Sequence, residues 1–133
     1  MLERSAAGLE QAPLTIRSGE RVHRFTVEVA RTPKEQEIGL MNRSSLAPDR
    51  GMIFPYDQPH PAAFWMKNTL IPLDMIFIRA DGTIARIAAN TVPLSLEPVP
   101  AGEPVAAVLE IAGGRSAELG IREGDRVEWP ASE

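Results

Sequence analysis

The chain has 133 residues, no cysteine, and fourteen basic against eighteen acidic side chains, for a net charge of −4. That length suits one domain burying about two-thirds of its unfolded surface. The composition excludes disulfides, thiolate zinc sites and a cysteine nucleophile; the interspersed charges leave no basic stripe for nucleic acid, and no apolar run nears the roughly 18 residues of a transmembrane helix.

Residues 1–12 read as a loose arm and 13–133 as a single compact β domain. The opening Met1–Gly8 lacks an apolar core and is no signal peptide, so the expectation is either a protein that stays inside the cell or a chain that begins after a removed leader. Leu14–Ile16 and Phe25–Val29 read as strands joined by a turn at Ser18–Arg21, with His23 expected on an exposed position beside Arg24. Thr32-Pro33-Lys34-Glu35 carries the residues of a capping box with proline at the first helical position, which predicts a short helix over Pro33–Leu40 with Ile38 and Met41 on one face.

Gly51–Phe54 and Ala63–Met66 read as short apolar strands, separated by an irregular loop because Pro55, Pro59 and Pro61 cannot donate to a ladder. Leu73–Ile78 and Ile84–Ala88 form a predicted hairpin around Asp81-Gly82. Four prolines between Pro93 and Pro104 mark a long connection, Val105–Ile111 is a further strand, Ser116–Leu119 a helical turn closed by Gly120, and Arg126–Trp129 the last strand. Short strands with one capped helix predict an all-β fold, a β-sandwich or barrel-like and mostly antiparallel.

The run Trp65-Met66-Lys67-Asn68-Thr69-Leu70-Ile71-Pro72-Leu73-Asp74-Met75-Ile76-Phe77 sets a lysine, an amide and a carboxylate among apolar residues, where charge is costly unless paired. With Glu37–Arg43, Gly51–Phe54, Asp81-Gly82, Val108-Leu109-Glu110, Gly113-Gly114 and Gly124-Asp125 in this order, the chain resembles the domain-of-unknown-function family numbered 192, from Phe25 to Trp129. It departs from that pattern in lacking a tyrosine between Pro93 and Pro104. The resemblance implies a compact, mostly β domain commonly carried behind an export or lipoprotein signal. It implies no activity, substrate or cofactor.

Two readings of the polar residues compete. In one, Arg43, Lys67, Asn68 and Asp74 line a binding site for an anionic or hydroxylated ligand, with Trp65 as an apolar wall; in the other they are internally satisfied, Asn68 at a turn and Asp74 capping a loop or pairing with Lys67 or Arg43. Asp74 and Glu110 are the weak candidates for an acid–base pair of a hydrolase acting on a cell-envelope polymer, although alternation along the strand turns Glu110 away from Leu109 and Ile111, toward solvent. Met41, Met52, Met66 and Met75 offer thioethers for Cu(I), but their spacing fits adaptable core filler better. His60 and Asp57 are too few for a closed metal site, no serine sits in a nucleophile elbow, and the echo of a peptide-binding domain near the C-terminus lacks the carboxylate-binding loop. Tyr56, Phe64 and Trp65 together offer a groove for a sugar or peptide, while Trp65 taken alone reads as core.

The expectation is therefore an exported binding or accessory domain, periplasmic or extracellular, with cytoplasmic location as the alternative. It takes a small-molecule or envelope ligand without metal or cofactor. The competing classes are the hydrolase above and a structural or partner-docking module.

Overall fold

The computed structural model describes residues 2–130; the first residue of the expected arm and the last three of the expected domain lie outside them. Among the described residues, nine strands and two short helices follow one another as β1 (Glu10–Ser18), β2 (Arg21–Val29), α1 (Pro33–Ile38), β3 (Arg50–His60), β4 (Ala63–Phe64), β5 (Leu73–Ile78), β6 (Ile84–Ala88), β7 (Val99–Pro100), β8 (Val105–Ala112), α2 (Arg115–Leu119) and β9 (Arg126–Glu128). Seven strands make one sheet in the order β6-β5-β8-β3-β2-β1-β9, and β4 pairs with β7 in a separate ribbon. The fold is all-β, and every ladder is antiparallel except that between β2 and β3.

The sheet curls into a half-barrel. Its two edges meet through the Thr83–Arg126 bridge, reinforced by N–H groups of Ile84 and Val127 donating to the carbonyls of Asp125 and Gly82. Alternation along each strand then sorts the apolar residues into two cores. Ile16, Val27, Ile53, Ile76, Leu109 and Ile111 fill the concave side, and Met52, Phe54, Leu73, Met75, Phe77 and Val108 pack on the outer side under α1 and the β4–β7 ribbon.

Several expectations change. The arm is shorter than twelve residues, because Glu10–Ala12 already pair with Val27–Val29. The helix has its full capping box, the Thr32 hydroxyl accepting from Glu35 N–H at 3.1 Å and Glu35 Oε1 accepting from Thr32 N–H at 3.1 Å, but it ends at Ile38. Gly39 follows at φ +50, and a Cβ there would stand 3.3 Å from the Phe54 ring, so the chain can turn this tightly over the outer core only as glycine. β3 runs on through Pro55 and Pro59 where a loop was expected. The prolines are tolerated because β2 pairs β3 only as far as Ile53, so beyond it one edge of β3 needs no N–H, and the β8 ladder shifts register between Pro55 and His60. His23 is half-buried rather than exposed, with its Nε2 shut off from water and unpartnered.

Candidate functional site

The parallel step from β2 to β3 requires a crossover, and residues 30–49 make it over the outer face, laying α1 beside β3 and the ribbon. Between them lies a cavity of about 310 Å³ whose walls include Glu37, Ile38, Tyr56, His60, Phe64, Trp65 and Lys67, with Glu110 also facing it. Phe54, Phe64 and Phe77 stack edge to face beneath it, with ring centroids 4.9 Å and 6.4 Å apart, which fixes the apolar floor.

Glu110 is the unusual member. It sits on β8 directly between Met52 on β3 and Met75 on β5, and it is 4% exposed. Among the described residues no hydrogen bond reaches its carboxyl group. Burial pushes its pKa up to about 8, which favours at pH 7 the protonated acid, able both to donate and to accept. The Tyr56 hydroxyl is pushed up to about 12, first by burial and then by the Glu110 charge. Tyr56 stacks on His60 with centroids 4.7 Å apart. At the mouth the Lys67 ammonium lies 5.2 Å over the Trp65 ring, without a carboxylate partner among the described residues. Trp65 is 48% exposed, so it is not a core residue; its neighbour Met66 takes the interior position, with its Sδ accepting from the Thr91 hydroxyl.

The cavity gathers only some of the residues singled out from sequence. Lys67, Trp65 and Glu110 line it. Asp74 is fully buried elsewhere, accepting from the backbone N–H groups of Asn90, Gly114 and Ser116 at 2.9–3.0 Å. It thereby caps α2, whose own N-cap is Gly114 and has no side chain for the task. Asn68 makes the turn at φ +55, and its carbonyl accepts from Asn42 N–H at 2.8 Å. Arg43 grips Glu28 with both guanidinium nitrogens, and Ser5 donates to the same carboxylate at 2.6 Å, so this trio ties the N-terminal segment to β2. Arg43→Ala is expected to cost about 2 kcal/mol in urea denaturation, less than the 3–5 of a fully buried pair because the Arg43 side chain is 28% exposed.

The acid–base pairing of Asp74 with Glu110 is corrected. Asp74 stands opposite Ile111 and Glu110 opposite Met75, so the two carboxyl groups leave opposite faces of the sheet. Of the four methionines, Met52, Met66 and Met75 lie together in the outer core, as core filler, and Met41 lines the cavity. No cluster of three or more histidine, aspartate or glutamate side chains suited to a metal occurs among the described residues. Glu37, Tyr56 and His60 reach the cavity from α1 and the proline-bearing end of β3; the sequence pointed to them singly, in the Glu37–Arg43 block, the Tyr56–Phe64–Trp65 grouping and the Asp57–His60 pair, and not as one site.

Fold and site together define a class of small all-β domains, a half-barrel with a ligand-sized cavity on its outer face. The chain belongs to DUF192, a family described as an uncharacterized ACR, whose model matches residues 14–129. It is similar to the crystal structure of a protein of unknown function from Novosphingobium aromaticivorans DSM 12444, with a TM-score of 0.91 and 49% identity over 93% of this chain and 89% of that one. It is also similar to a suggested transcription regulator from Sinorhizobium meliloti 1021, with a TM-score of 0.89 and 43% identity over 91% of this chain and 95% of that one. No curated protein matches.

Proposed function

We propose that the chain is a binding domain without catalytic activity, that its ligand is a small molecule held in the outer-face cavity, and that it works in the periplasm or outside the cell. The observation that carries the reading is Glu110, an acid only 4% exposed, set between Met52 and Met75 at a cavity wall, with no hydrogen-bond partner among the described residues. A buried polar group of that kind is costly unless something meets it, and the space beside it is of ligand size. Export is supported by the absence of cysteine and by the family resemblance. A regulator that binds nucleic acid is not favoured by a net charge of −4 without a basic stripe.

The test is a small-molecule library followed by amide chemical shifts. At least one compound is expected to move Glu37, Trp65 and Lys67 and to lose affinity in Lys67→Ala, which is expected to unfold within about 0.5 kcal/mol of the parent because Lys67 is exposed. A library whose binders all fall elsewhere overturns the cavity reading. Fractionation of cells producing the full-length protein tests its location, and a cytoplasmic result removes export.

One observation favours docking to a partner as a second reading. The loops around Thr69 and Ser95 are clamped together by Leu94 N–H donating to Thr69 and Met66 N–H donating to Ser95, and they leave Leu70, Val92, Leu94 and Leu96 exposed. Leu94 holds φ +69, a strained conformation for a branched side chain. Binders that map to these loops instead of the cavity would support it.

A further inference from the structure

Building on the reading of the cavity as a ligand site, we propose that its ligand is an uncharged sugar: one pyranose ring stacked on Trp65 at the mouth, with a hydroxyl turned inward to the Glu110 carboxyl group.

Charge argues against the other ligand classes. A cation seeking the Trp65 ring would share it with the Lys67 ammonium, already 5.2 Å from its centroid, and like charges that close repel. An anion would meet the Glu37 carboxylate and the uncharged Glu110 acid against one ammonium, a wall with no net positive charge. The guanidinium that might have offset them, Arg43, is spent on Glu28. A neutral molecule remains, and the inner wall asks for hydroxyl groups. A protonated carboxyl both donates and accepts, and a hydroxyl can answer both.

Shape agrees with charge. About 310 Å³ is at the lower limit of small-molecule sites, so one ring fits and a chain of rings must continue outside. The half-exposed Trp65 ring offers a flat, negative π face, and the C–H groups on one face of a pyranose present weakly positive hydrogens to it. Glu37, His60 and Lys67 at the rim supply polar atoms for the outer hydroxyls.

The experiment titrates the whole chain with D-glucose, D-galactose and N-acetyl-D-glucosamine, and separately with choline and benzoate, reading the Trp65 indole N–H and the Tyr56 amide. At least one pyranose is expected to move both signals, with an affinity that falls about ten-fold in Trp65→Ala, the equivalent of 1.4 kcal/mol. Glu110→Gln keeps a donor and an acceptor and is expected to retain binding; Glu110→Leu is expected to lose it while staying folded, checked by melting temperature. Choline or benzoate moving these signals while no pyranose does overturns the sugar inference and leaves the cavity reading standing. No response to any of the five probes overturns the sugar inference, and the cavity reading then rests on the library alone. Pyranose binding abolished by Glu110→Gln would mean that charge is being recognised, which also overturns the inference.

Discussion

Glu110→Gln is expected to abolish a fall in stability that the parent protein shows as pH rises from 4.5 to about 8. Unfolded, Glu110 has the ordinary value of 4.5; folded, burial raises it to about 8. Between these values the folded state holds a proton that the unfolded state has released, so raising the pH favours unfolding. The stability is fully present below 4.5, falls by up to about 1.36 kcal/mol per pH unit across the window, and levels off above it. The total loss is on the order of a few kcal/mol, a large share of the roughly 5–15 kcal/mol that holds a domain folded. The glutamine variant cannot ionise, so its urea midpoint should lack this component and exceed that of the parent above pH 8. Parallel profiles for the two proteins would show that water or a neighbouring group already satisfies Glu110.

Asp74→Ala is expected to be the most damaging single change in the Trp65–Phe77 run, costing on the order of 3–5 kcal/mol. It would strand three N–H groups, those of Asn90, Gly114 and Ser116, of which the buried Ser116 N–H is worth about 1–3 kcal/mol when unpaired and the part-buried other two less. Asp74→Asn should recover only part of the loss, since its amide nitrogen would face an N–H where an oxygen is needed. Urea denaturation at pH 7 checks both. An Asp74→Ala variant as stable as the parent would mean that the start of α2 is held by something else.

How much could be read before the fold was known depended on the range of the interaction. Thr32, Pro33 and Glu35 make a capping box within four residues, and α1 begins where they place it. The β5–β6 hairpin and β8 were equally legible from local pattern. Glu110 was misread as solvent-facing because alternation tells only that it opposes Leu109 and Ile111. Both faces of β8 are covered, so opposing a buried residue is not the same as being exposed. The cavity itself was half-hidden for a comparable reason. Lys67 and Trp65 belong to a recognisable string, but Glu37 reaches them through a parallel β2–β3 pairing that leaves no local signature.

The position of β8 in the sheet has a consequence for how the chain comes to be folded. Strands β1–β3 form one unit and β5–β6 another, and the two share no ladder; β8 lies between them in the sheet, while β9 joins their far edges through the Thr83–Arg126 bridge. Until residues 105–112 have emerged from the ribosome, β3 and β5 each keep an open edge over an apolar face, the arrangement most prone to pairing with another chain. Assembly therefore waits for a late strand to insert at the centre, and that strand carries the buried acid Glu110. Glu110 is a residue whose desolvation coincides with the sheet becoming whole.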